Sequence, residues 1–352
     1  MAQAILAANS DNSLSPLLFK HLKGHKDVIT GLAFHPKEDK IITSSLDCTA
    51  MLWNFKKPDE RVIKFTAHTK SIHDVSWSPS GSYFVTASTD QDVRIWSPTF
   101  TGKTKAIRAH SSTVRTVDYD PTGKYFITGA DDKSLKLFTT KDINFHRSFT
   151  GHTNWVRCTR MAPYNNLIAS CADDKTAKIW DMETGKCLHT FQQTKGTPKY
   201  VAWHPDVPMI ALALTSNSVK FYDTREKELI QFYKNHVDMV NAVSFHPNGK
   251  YMVTASDDGT MKICDLLEGR YIYSLDAQCG PVKSVAFSKD GKFIASGNGN
   301  DLLLWESNLV NERGSVGSSK YVTLEQDTPK PKGLIHPKNL KDELNKENEN
   351  EN

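Results

Sequence analysis

Cysteine is sparse: Cys48, Cys158, Cys171, Cys187, Cys264 and Cys279 are the only six in 352 residues. None pairs with another at the C-x-x-C spacing of a zinc or redox site, so free thiols of a reducing compartment are expected. No stretch approaches the roughly eighteen apolar residues of a membrane-spanning helix, and no membrane partner is expected. No basic segment precedes the short apolar run at 4–8, so a secretory leader is not expected. Charge of one sign is lacking too. Forty-four basic against 40 acidic residues leave +4, far from the bias of a dedicated nucleic-acid binder. There is no glycine-rich phosphate loop, no G-x-S-x-G elbow and no H-E-x-x-H. No catalytic residue, cofactor or metal ligand is therefore assigned, and the chain reads as a non-enzyme.

What is present is a repeat. Gly24-His25, Ala67-His68, Ala109-His110, Gly151-His152 and Asn235-His236 recur, with the histidines 43, 42, 42 and then 84 residues apart. The skipped register falls on Thr194, and one further period falls on Gln278. Seven registers result. Nine residues after each stands an apolar anchor: Phe34, Trp77, Tyr119, Met161, Trp203, Phe245 and Phe287. A second follows nineteen residues later at Trp53, Trp96, Phe138, Trp180, Tyr222 and Cys264. In the seventh unit the gap is eighteen, to Trp305, which places a deletion within 297–301.

Each unit reads as short strands. Tyr83-Phe84-Val85-Thr86 and Val93-Arg94-Ile95-Trp96 are β-branched or aromatic. Pro79-Ser80-Gly81, Pro121-Thr122-Gly123 and Pro247-Asn248-Gly249 are turns, because proline presets one angle and glycine tolerates positive φ. Four short strands, seven times over, predict an all-β, seven-bladed β-propeller. The segment at 17–22 has no unit of its own, so it is expected to complete the seventh blade and close the ring. The expected domains are a flexible N-terminus at 1–16, the propeller at 17–306, and a disordered tail at 307–352. That tail ends Asn-Glu-Asn-Glu-Asn and cannot bury enough apolar surface to offset ordering.

The pattern resembles the WD-repeat family. That resemblance implies a hydrogen-bonded set of His, Ser or Thr, Asp and Trp within each unit. It matches His25, Ser45, Asp47 and Trp53 in unit one, and His68, Ser88, Asp90 and Trp96 in unit two. Unit four keeps His152, Asp174 and Trp180 but has Ala172. Unit six keeps His236, Ser256 and Asp258 but ends in Cys264. Unit five has Thr194 and Ser216 where His and Asp belong, and is expected to be the least rigid. A His and an Asp that recur from unit to unit hold turns; catalysis needs one convergent set.

Function is sought in what varies at one geometric position. Five residues after each register come Thr30, His73, Arg115, Arg157, Lys199, Asn241 and Lys283, which should ring the channel mouth. Two places earlier, Trp155 and Met239 are large and apolar where a turn residue would suffice. Trp155 with Arg115, Arg157, Lys199 and Lys283, and with His73 and Met239, is the composition of an interface hot spot for an acidic protein surface. Charge reversal at Arg115 and Arg157 is expected to weaken binding and to leave stability alone.

Several phrases are narrower than the general repeat. They include Gly151-His152-Thr153-Asn154-Trp155-Val156-Arg157-Cys158 and Asp265-Leu266-Leu267-Glu268-Gly269-Arg270. Through them the chain resembles the centriolar WD-repeat family known as proteome of centriole protein 1. The resemblance implies a cytoplasmic, cytoskeletal scaffold at the centriole or basal body. Its partners would be tubulin in microtubule triplets and other centriolar proteins. The coiled-coil segment common in that family is not found after residue 306. The alternative is a WD-repeat platform unrelated to centrioles, such as a ubiquitin-ligase substrate receptor or an RNA-processing subunit.

Overall fold

Side chains in a strand alternate between two faces, and here both faces of most strands are covered. Residues such as Phe84, Val85 and Ala87 are therefore wholly buried in succession. The computed structural model describes residues 3–6, 15–57, 62–99, 103–234, 236–276 and 279–309. Their strands form seven antiparallel sheets; in the first six, four strands run in sequence order from inner to outer, and the seventh takes its outer strand from the N-terminal side. The inner strands are Ile29–Phe34, Ile72–Trp77, Val114–Tyr119, Val156–Met161, Pro198–Trp203, Val240–Phe245 and Val282–Phe287. They begin blades one to seven.

Seven hydrophobic clusters lie between the blades, one at each interface. Val85, Val93 and Ile95 of blade two meet Val114, Val117 and Phe126 of blade three. The ring closes in the same way, with Phe293, Leu302 and Leu304 of blade seven against Ile29, Ile41 and Trp53 of blade one. Each such fully buried side chain stabilises by roughly 1.5–3 kcal/mol. No blade could keep its faces dry alone, so the ring is the stable unit.

Closure follows the expectation. The segment Leu17–Lys23 pairs antiparallel with Asp301–Glu306 as the outer strand of blade seven. Leu22 packs against the interface with blade one, and the Phe19 ring lies 5.4 Å from that of Phe293. The deletion also falls where expected. Asn298 and Asp301 pair directly, so Gly299 and Asn300 alone make the turn, and Gly299 has φ +56°.

Two boundaries shift. Within the segment expected to be flexible, Gln3–Leu6 runs antiparallel to Arg270–Asp276 as a fifth strand on blade six. At the other end the propeller continues past Glu306. Ser307 donates to the Gly291 carbonyl, Asn308 Nδ2 donates to Ser15 O at 2.8 Å, and Leu309 is buried. Residues 310–352, the bulk of the expected tail, lie outside the described residues, as do Asn235 and Gln278.

Candidate functional site

The histidines are explained first. In blade one, His25 Nδ1 lies 3.0 Å from Asp47 Oδ2, and Nε2 lies 2.8 Å from Thr43 Oγ1. Trp53 Nε1 donates to the same hydroxyl at 2.9 Å. A carboxylate only accepts, so Nδ1 carries the proton and the neutral ring accepts from Thr43 at Nε2. The same chain recurs at His68, Asp90, Thr86 and Trp96, and at His152, Asp174, Ser170 and Trp180. His110 and His236 make it with Thr128 and Thr254, without an indole.

This corrects the assignment of Ser45, Ser88 and Ser256. The joining hydroxyl sits two residues earlier, on the same face of the strand but deeper, where the imidazole Nε2 points. Ser45 instead donates to Asp27 O at 2.9 Å and accepts the Asp47 amide. Ser88 and Ser256 do likewise with Ser71 O and Asp238 O. Unit four is complete after all, because Ser170 supplies what Ala172 cannot. Burial alone would raise the pKa of Asp47. Donors from Thr49, Lys26 and His25 overcome it and hold that carboxyl down at about 2. Asp90 is held at about 2 against the same burial by His68, Asp92 and Thr69. These groups are spent on turns. Blade five lacks the set; there Gln193 Nε2 donates to Tyr222 Oη at 3.1 Å.

The seven channel-mouth residues share a backbone cause. In every blade the pairing of the inner strand with its neighbour skips one residue, a β-bulge. The skipped residues are Thr30, His73, Arg115, Arg157, Lys199, Asn241 and Lys283. Freed from the ladder, their side chains line one continuous cavity of about 150 Å³ in the channel. The sequence position and the bulge coincide in all seven blades.

The charge of that ring differs from expectation. Arg115 Nε and Nη2 reach the Asp131 carboxylate at 2.9 and 2.8 Å. Arg157 pairs with Asp173, and Lys199 Nζ stands 3.8 Å from it. Lys283 Nζ lies 2.6 Å from Asp257, which also accepts from Asn241. Asp131, Asp173 and Asp257 thus offset most of the cationic charge that composition alone had counted. Burial, then Arg115 at 3.3 Å, lower the pKa of His73 to about 4. It is a neutral member of the ring. Reversing Arg115 or Arg157 would set two carboxylates side by side in a half-buried site, so stability would not be left alone.

Trp155 is different. Its carbonyl accepts the Asp173 amide at 2.9 Å, and Met239 O accepts the Asp257 amide at 3.0 Å. Val28, Ser71, Thr113, Thr197 and Pro281 make the same backbone bond, so the turn needs no particular side chain. Yet the Trp155 indole is 44% exposed, with the Arg157 guanidinium 5.2 Å above its ring. Met239 is half-buried. Val237, 85% exposed on the same loop as Met239, escaped the sequence reading. Its signal was an apolar side chain in the place after the histidine, where Lys26, Thr69, Ser111 and Thr153 are polar.

Deeper in the channel lies a cluster that the sequence reading also missed. Arg160 Nη1 donates to Asp74 Oδ2 and Thr116 Oγ1 at 3.0 Å, and Nη2 to Tyr200 Oη at 2.9 Å. Burial, opposed by Arg160, raises the pKa of Asp118 to about 6. The cluster ties blades two to five across the channel. Its signal was available: Asp118 and Arg160 hold a register position that is Ala or Ser in the other five units.

The WD40 family model, described as "WD domain, G-beta repeat", matches residues 17–54, 59–97, 102–139, 144–181, 227–265 and 269–306. The unmatched unit is blade five. Among curated relatives, a probable cytosolic iron-sulfur protein assembly protein Ciao1 of Culex quinquefasciatus is 34% identical over 22% of this chain and 24% of its own. Nuclear distribution protein nudF 2 of Aspergillus clavatus is 33% identical over 22% and 18%. Ribosome assembly protein 4 of Saccharomyces cerevisiae is 37% identical over 17% and 12%. The matches thus span a quarter or less of those relatives. Their likeness is that of the repeat, whose fold is typically a non-enzymatic scaffold. With seven blades closed by the segment ahead of the first, and a matched family model over most of the ring, this chain belongs to the WD40 repeat family of protein-interaction platforms.

Proposed function

We propose that this chain is a non-enzymatic scaffold of centrioles and basal bodies. It binds tubulin of the microtubule triplet wall, or proteins seated on that wall, and so supports centriole stability and cilium assembly. The sequence phrases around Trp155 and at 265–270 support the centriolar reading. The observation that carries the docking surface is Trp155: a large, exposed indole at a position whose turn bond is made by the backbone whatever the side chain, stacked against an arginine. Exposed aromatic–arginine pairs at a rim are what interfaces use as anchors. Because Asp131, Asp173 and Asp257 already occupy the cations, the partner engages the indole first and competes for the guanidinium groups second.

A second reading is a general assembly platform, such as a substrate receptor or an RNA-processing subunit. The names of two relatives, which speak of iron-sulfur protein assembly and ribosome assembly, favour it. Fluorescent tagging separates the two. Puncta at basal bodies, lost in Trp155→Ala, are expected; a diffuse or nuclear signal would favour the platform reading.

A further inference from the structure

We propose that His21, Cys279 and Asp301 form a zinc-binding site that staples the closing strand to blade seven. The three residues are far apart in sequence, and no linear spacing announces them. They meet because the ring closes. His21 comes from the closing strand, Asp301 begins the strand beside it, and Cys279 lies in the segment leading into the inner strand. His21 Nε2 and Asp301 Oδ2 are 2.6 Å apart, and all three donor atoms lie within 4.8 Å of one another. A tetrahedral zinc ion holds nitrogen, sulfur and oxygen donors at about 2.0–2.3 Å, and so about 3.2–3.8 Å from each other. Small side-chain rotations bring the trio to that shape.

The donor set selects the metal class. Imidazole with thiolate and carboxylate suits zinc, whereas magnesium and calcium take oxygen donors throughout. The cation would replace the proton now shared between His21 and Asp301. Three protein ligands leave the fourth position to water. Lys23 Nζ, 3.8 Å from Asp301 and 71% exposed, would swing into solvent.

The place of the cluster gives it a role. In blades one to four and blade six, a His–Asp pair pins the loop entering the blade. The amide after the histidine, as at Lys26, Thr69, Thr153 and Val237, donates to that carboxylate. Cys279 holds that same register place in blade seven. There the turn is cut to Gly299 and Asn300, and the paired aspartate is gone. A metal at this corner would do for the seam what the His–Asp pair does in the other blades.

The full chain, stripped with a chelator, is titrated with Zn²⁺, and with Co²⁺ as a visible probe. One equivalent should bind. Co²⁺ should show thiolate charge-transfer absorption, and Zn²⁺ should raise the thermal midpoint. Cys279→Ser should lose the charge-transfer band and the Zn²⁺-induced shift. His21→Asn should weaken binding more than about 100-fold, beyond what loss of an outer-shell contact costs. An unchanged midpoint in the wild-type chain, or a Zn²⁺ shift in both variants equal to that of the wild type, overturns the site. The two variants touch different segments, so poor folding of one leaves the other decisive.

Discussion

Blades two and five solve one problem in opposite ways. Blade two buries a polar relay: His68, Asp90, Thr86 and the Trp96 indole satisfy one another with no donor left over. Blade five puts Leu212 where Thr86 stands and packs it with Val201, Trp203, Ile210 and Tyr222. Gln193 and Tyr222 keep two buried hydrogen bonds between them, Nε2 donating to the phenol oxygen and the phenol to Oε1. Both blades form four full strands in the same register. The relay is therefore not what makes a blade. Strand pairing and the dry interface do that, and the relay locks the loop above.

The sharpest way to break the comparison is to install half a relay. Leu212→Thr removes buried methyls and strands a hydroxyl, and should destabilise the chain by about 3 kcal/mol in urea unfolding. Adding Thr194→His, Ser216→Asp and Tyr222→Trp should recover most of that loss. If the full set recovers nothing, the relay depends on more than its four members. In blade two, Thr86→Val leaves the His68 Nε2 and the Trp96 Nε1–H unpaired in the core. That should cost about 2 kcal/mol by the same measurement.

Acid should tell the blades apart as well. Asp47 and Asp90 have folded pKa values lowered from 3.8 to about 2. Their contribution is present in full above the unfolded value and is lost as pH falls from about 4 through 2. Blade five, with Ser216 in that place, contributes nothing there. Asp90→Asn should therefore flatten the stability profile across that window, whereas Ser216→Asn should not. A second erosion begins higher. His73 is lowered from 6.5 to about 4, so the unfolded chain takes up the proton first, and stability falls as pH drops from about 6.5 toward 4. His73→Gln should remove that part.

The smallest effect on folding belongs to the rim. Trp155→Ala should change unfolding free energy by less than about 0.5 kcal/mol, as surface changes do, while partner affinity falls at least about tenfold. Arg157→Glu makes a poorer probe, since it opposes Asp173 and confounds binding with stability.

Much of this was legible in sequence, for a reason visible in particular residues. A repeat states each structural position seven times, so a lapse such as Thr194 or Cys264 cannot hide the period. The closing strand at 17–22 was readable because it was an outer strand without a blade. Legibility failed where a position is stated once or where partners are distant. Thr43 was passed over for Ser45 because both lie on one face, and only the reach of the imidazole decides between them. The carboxylates that offset Arg115, Arg157 and Lys283 were hidden because charge was counted along one register. Asp131, Asp173 and Asp257 lie sixteen residues further on, or belong to the neighbouring blade. The strand Gln3–Leu6 gave no sign, since it borrows an edge from blade six rather than completing a repeat.

The bulges carry one further consequence. A residue that takes no part in the ladder can be exchanged without shifting register or thinning the core. Seven such places, spaced around one opening, let the lining of the channel change in size and shape without disturbing the strands, provided each buried carboxylate keeps its partner. The opening can be retuned one spoke at a time, each paired change leaving the hub true.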